Sequence, residues 1–166
     1  MITFTIPGPP VGKGRPRATT INGMARLYTP KKTVSYEGLV AHAAQAAMRG
    51  QPLIECPVHL GLLIRCQVPA SWSLKKQRMA LAGEIFPATK PDADNIVKAI
   101  GDACNGVVWR DDVQAVDGSW RKRYAAVPGV VVTIMPVAVD PVQEPIPMPN
   151  QGSILQTERD LCASPF

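Results

Sequence analysis

The chain has 166 residues, of which 46% are hydrophobic, a size and composition that suit one domain with its own core. Its formal net charge is +5, and its four cysteines show no CxxC spacing and lie far from the two histidines, which argues against a zinc site. No apolar run is long enough to cross a bilayer and no signal-peptide pattern opens the chain, so we expect a cytoplasmic protein with reduced thiols.

The first fifty residues predict a strand, a basic loop and a helix. Apolar residues alternate with threonines over residues 2–6, which is typical of a strand with one buried face. Prolines and glycines interrupt residues 7–16 and predict a loop, the kind of segment that often displays binding residues. A helix is expected to begin at Thr29, as N-cap before a proline, and to end at Gly50.

The middle of the chain predicts two more helices and four more strands. Ser71 or Ser73 is expected to cap a short helix that ends at Ala82. Asp94 is a candidate N-cap for a helix over residues 95–104, which Gly106 would end. Strands are expected at residues 58–67, 107–109, 113–124 and 130–134. The fold class is therefore α+β (mixed α/β), with a single sheet of about four to five strands and two or three helices packed on it.

The composition changes after Met135. Five prolines interrupt residues 136–149, and few large apolar side chains follow them. We therefore expect a domain over residues 1–135 and a Pro-rich tail over residues 136–166 that is flexible or wraps over the domain surface.

Acidic residues are grouped within an otherwise basic chain. Residues 1–90 hold twelve Lys or Arg against three acids, whereas six acids fall between Asp92 and Asp117. Basic side chains scattered over a solvated surface are weak support for nucleic-acid binding. Carboxylates gathered inside a basic protein suggest a divalent cation held against a phosphate.

The grouped acids have an ordinary structural interpretation and a functional one. In the first, Asp94 caps a helix, Lys98 pairs with acids one turn away, and Asp111 with Asp112 forms a polar turn. This leaves Asp92 without a role. In the second, Asp92, Asp94 and an acid of the 111–112 pair hold Mg²⁺, while Lys98 adds a positive charge near the scissile phosphate.

The same residues carry a family resemblance. The run from Lys90 to Gln114, which begins Lys-Pro-Asp-Ala-Asp-Asn, closely resembles the signature of the RusA family of Holliday junction resolvases, which are bacterial and prophage endonucleases. Residues 7–17, residues 28–32 and the basic Arg121-Lys-Arg123 before a final strand are similar to other parts of that family. The resemblance covers roughly residues 1–135.

The resemblance implies a homodimeric endodeoxyribonuclease that binds four-way DNA junctions and nicks two strands symmetrically. Its cofactor would be Mg²⁺, with Mn²⁺ as a substitute. By match to the family motif, the catalytic residues would be Asp92, Asp94, Lys98 and Asp112, and the three acids among them would bind the metal with Asp111 nearby in support. Asp102 stands at a recurring acidic position and is interpreted as structural or as a neighbour of the ligands.

Basic residues near the N-terminus are candidate phosphate contacts, which position a duplex without reading its bases. These are Lys13, Arg15, Arg17, Lys31 and Lys32. Two alternatives to a resolvase stay open: a non-catalytic protein that binds branched DNA, and a flap or branched-DNA nuclease of looser specificity. A pure binding protein would have no reason to bring the acids and Lys98 together.

Overall fold

The computed structural model describes residues 1–21 and 24–137. In chain order the elements are β1 Ile2–Pro7, β2 Arg17–Ile21, β3 Met24–Tyr28, α1 Lys31–Met48, β4 Val58–Gln67, α2 Leu74–Leu81, α3 Ala93–Cys104, a 3-10 turn Asp112–Gln114, β5 Ala115–Ala125 and β6 Gly129–Pro136. Three helices and a mixed sheet confirm the predicted α+β class. None of the helices in these ranges is both long and apolar enough to span a membrane.

The main sheet has four strands in the order β1-β6-β4-β5. β6 pairs antiparallel with both β1 and β4, and β4 pairs parallel with β5. The parallel pair needs a long crossover, which contains α2 and α3. β2 and β3 form a separate antiparallel hairpin that the sequence analysis did not predict.

One face of the main sheet forms the core with α1 and α3. Strand β4 buries every second residue from Val58 to Ile64, so the strand predicted at residues 58–67 is confirmed together with its inner face. Helix α3 buries Ile96, Ile100 and Cys104, and it packs against α1 beneath the sheet. Because its apolar residues recur at helical spacing, the opposite side of α3 is left for polar residues.

Several predicted boundaries are wrong in instructive ways. Asp94 is not the N-cap of α3: Asp92 occupies that position with extended backbone and no side-chain cap bond, and Asp94 lies in the first turn. Pro30 rather than Thr29 precedes α1. The strand predicted at residues 107–109 is absent from the described chain, where Trp109 makes only isolated bridges to Ile54 and Asn105.

β6 continues to Pro136, one residue into the segment predicted as a tail, and the Val137 amide donates to the Pro57 carbonyl at 2.9 Å. The prediction of a flexible or wrapping tail otherwise lies outside the described residues.

Candidate active site

Helix α3 presents two of the predicted catalytic side chains to solvent. Asp94 and Lys98 are both exposed and lie one helical turn apart. The apolar side of the same helix is anchored in the core, so the backbone beneath both side chains is fixed. The helix therefore holds a carboxylate and an ammonium group at fixed backbone positions.

The chain that follows α3 brings Asp112 close to Asp94 and Lys98. Asp94, Lys98 and Asp112 line one open depression of about 330 Å³, which has Trp120 among its apolar walls. Gly101 lies directly beside Asp112, since a Cβ added to this glycine would be in ordinary contact with the Asp112 Cβ at 3.7 Å. Two carboxylates and one lysine, contributed by α3 and by the 3-10 turn, thus face a common space.

Asp111 has a different role from its neighbour. Its side chain accepts from the Val113 amide at 3.2 Å and closes a capping box with Gln114, whose amide nitrogen donates to the Ile54 carbonyl at 2.8 Å. Asp111 lines another depression, beside Glu55. The polar turn therefore has a structural purpose, and it directs Asp112 rather than Asp111 toward α3.

The pKa of Asp112 is raised above its ordinary value of 3.8. Burial is the largest cause, followed by a hydrogen bond with Asp111 and the negative charges of Asp102 and Asp111. The negative charges of Asp102 and Asp111 therefore act on Asp112 at the end of α3, and a cation bound beside Asp112 would favour its ionised form.

Asp92 lies on the other side of the helix start. It lines a separate depression with Lys13, Lys90 and Asn95, among others. Lys122 holds the loop that leads to it, donating to the carbonyl oxygens of Thr89 at 2.7 Å and Pro91 at 3.0 Å. The structure thus brings Asp94, Lys98 and Asp112 together but does not place Asp92 around the same depression.

The carboxylates around the depression are just enough for the smallest set of protein ligands that usually binds Mg²⁺. Over residues 1–21 and 24–137, no three His, Cys, Asp or Glu side chains are placed to hold one metal ion. Mg²⁺ usually binds through one or two carboxylates, with waters and substrate phosphates completing its shell. Asp94 and Asp112 supply that number of carboxylates and leave room for a phosphate.

The candidate phosphate contacts fall into two groups. Arg15, Arg17, Lys31 and Lys32 are exposed, and none of them forms an ion pair within the described part of the chain. Lys13 points inward and pairs with two carboxylates, so it is not available as a free cation. The first group keeps its predicted role as phosphate contacts.

Sequence reasoning missed the position of Lys122. The run Arg121-Lys-Arg123 looked uniformly basic, yet strand alternation places Lys122 on the same side as Trp120, opposite Arg121 and Arg123. That alternation was the signal that could have separated it from its neighbours. His59 does not line the depression of Asp94 and Asp112, and its ring nitrogens bond Asp117 at 2.8 Å and Ser119 at 3.1 Å.

Comparison with known proteins adds a family to this geometry. The family model described as endodeoxyribonuclease RusA matches residues 7–135. An uncharacterized protein, YqaN of Bacillus subtilis (strain 168), is 37% identical over 139 residues, which cover 82% of this chain and 97% of that protein. Both matches include α3 and the Asp112 turn.

Proposed function

The chain belongs to the RusA family of endodeoxyribonucleases, and from this premise we propose that it is a Mg²⁺-dependent Holliday junction resolvase. The observation that carries the proposal is the depression shared by Asp94, Lys98 and Asp112. A basic chain supplies the attraction for DNA, and this depression supplies carboxylates where a phosphodiester would lie.

Each side chain has a distinct proposed role. Asp94 and Asp112 would hold Mg²⁺, and Asp92, which the family motif also implies as a ligand, would join them only if the start of the helix moved. A bound Mg²⁺ lowers the pKa of its water and offsets charge on the phosphodiester. Lys98 would stabilise the negative charge that develops on the scissile phosphate.

The exposed basic residues at the N-terminus would position the DNA. Arg15, Arg17, Lys31 and Lys32 lie on the N-terminal segment, the β2 strand and the first turn of α1. Contacts of this kind go to phosphates and carry no sequence information. The substrate would therefore be selected by its branched shape.

Resolution of a junction also needs two incisions related by two-fold symmetry. A homodimer with C2 symmetry supplies two such sites at a fixed separation, so we propose that the active form is a dimer. A non-catalytic branched-DNA protein and a nuclease of looser specificity are the outcomes that would replace this proposal.

The test uses a synthetic four-way junction and compares the wild type with Asp92→Asn and Lys98→Ala. The wild type should make paired, symmetric nicks in Mg²⁺, while both variants bind the junction but cut it slowly, because they lose chemistry more than phosphate contacts. Binding without any nick in Mg²⁺ or Mn²⁺ would identify a binding protein. Equal cleavage of flaps and junctions would identify a nuclease of looser specificity.

A further inference from the structure

Lys13 is oriented toward the protein rather than toward solvent. Its ammonium group lies 2.5 Å from a Glu37 carboxylate oxygen on α1 and 2.7 Å from an Asp102 oxygen on α3. The three side chains are only 28%, 22% and 27% exposed. One lysine therefore connects two helices and is neutralised by both.

The segment that carries Lys13 is built for this approach. Its amide donates to the Asn95 carbonyl at 2.8 Å, which fixes it beside the start of α3. A Cβ at Gly12 would lie 3.0 Å from the Asn95 Cβ, and one at Gly14 would lie 2.8 Å from the hydroxyl oxygen of Thr33. The two glycines flanking Lys13 thus let the backbone contact both helices closely.

Asp102 connects Lys13 to the candidate active site. Asp102 follows Gly101, whose backbone lies against the Asp112 side chain, and the negative charge of Asp102 helps to raise the pKa of Asp112. Lys13 holds the same Asp102 carboxylate from the other side. If Lys13 were absent, Asp102 would be an unpaired acid next to Asp112, free to turn and offer its own oxygens to a cation in the depression.

We propose that Lys13 is a positioning residue that retains the Asp102 carboxylate and so keeps it from competing with Asp94 and Asp112 for the metal. This inference rests on the proposed function. It assigns the lysine of the N-terminal basic segment to the organisation of the active site, and it leaves the phosphate contacts to its exposed neighbours such as Arg15.

The central experiment is a double-mutant cycle between Lys13 and Asp102. Lys13→Gln should lower the rate of junction nicking at saturating Mg²⁺ by roughly 10- to 100-fold, the usual loss when a group that orients a ligand is removed. Adding Asp102→Asn to Lys13→Gln should recover much of that rate, because the competing carboxylate is gone. A double variant as slow as Lys13→Gln would overturn the proposal.

Metal binding provides a readout that does not depend on cleavage. Mn²⁺ titrations followed by electron paramagnetic resonance should show tighter binding to Lys13→Gln, which loses a positive charge and frees an acid. Adding Asp102→Asn should return the affinity toward the wild-type value. The same Mn²⁺ affinity in the wild type and Lys13→Gln would contradict the proposal. If the wild type never nicks junctions, the proposed function fails, and this comparison still tests Lys13.

Two controls separate positioning from DNA contact and from simple tethering. Without divalent cations, the salt dependence of junction binding should flatten in Arg15→Gln but not in Lys13→Gln, and equal flattening in both would overturn the proposal. Glu37→Gln removes the negative charge that Lys13 meets on α1 but keeps Asp102 paired, so it should lose less rate than Lys13→Gln. An equal loss would mean that Lys13 only tethers the segment. Melting temperatures verify that each variant is folded.

Discussion

Lys122 provides the sharpest test of how the loop before Asp92 is held. Its ammonium group, which extends from β5, donates to the carbonyl oxygens of Thr89 at 2.7 Å and Pro91 at 3.0 Å in the loop between α2 and α3. Lys122→Met keeps an unbranched apolar side chain of nearly the same length but removes the ammonium group that donates both bonds. We expect the loop to loosen and Asp92 to lose its fixed position.

The magnitude follows from these two bonds. A hydrogen bond to a charged group contributes about 1.5–3 kcal/mol when it is protected from water, and less when it is exposed. One of the two bonds is exposed and the other partly buried, so their combined loss should be about 1–3 kcal/mol. For a domain of this size that corresponds to a fall in melting temperature of roughly 3–12 °C.

Urea denaturation measures the loss, with Arg121→Met as the matched control. Arg121 is the adjacent residue on β5, is exposed, and faces the opposite side of the sheet. Lys122→Met should be clearly less stable than Arg121→Met and should nick junctions more slowly. If the two variants have the same free energy of unfolding, or if Lys122→Met chiefly flattens the salt dependence of binding, Lys122 contacts DNA rather than the loop.

Two further predictions concern parts of the fold away from the site. Asn105→Ala should destabilise the protein by about 1–3 kcal/mol in urea denaturation, because the buried Trp109 indole N–H loses its acceptor at 2.8 Å; a loss below about 0.5 kcal/mol would contradict this role. The hydrogen bond from His59 lowers the pKa of Asp117 below 3.8, so its stabilisation is present above that ordinary value and is lost as the pH falls through the lowered pKa. The melting temperature of Asp117→Asn should therefore fall less steeply than that of the wild type below about pH 4. If both melting temperatures fall equally with acid, the linkage is refuted.

The sequence predicted the elements whose residues divide cleanly between core and solvent. Strand β4 and helix α3 each bury one regular side, so their periods of two and 3.6 residues were visible. The β2–β3 hairpin was missed because β3 is exposed on both faces and therefore shows no alternation. The strand predicted to start at residue 113 begins at Ala115, because Asp111 caps a 3-10 turn ahead of it.

The residues of the candidate site were also predictable from the sequence only in part. Asp94 and Lys98 could be paired from helical spacing, and the family motif added Asp112. The positions of Lys13 and Lys122 could not be read from spacing, because their partners lie 24 to 89 positions away and depend on the packing of separate elements. Both lysines resembled free surface cations in the sequence, yet both are used to hold parts of the acidic site.

The most direct measurement of the central claim is the cleavage of a synthetic four-way junction in Mg²⁺ by the wild type, Asp94→Asn and Asp117→Asn. Asp94 lines the depression with Lys98 and Asp112, whereas Asp117 is an acid of the same type on β5 that pairs with His59 instead. We expect paired nicks from the wild type and Asp117→Asn, and junction binding without nicks from Asp94→Asn. Cleavage by Asp94→Asn at the wild-type rate would contradict the assignment of this depression as the active site.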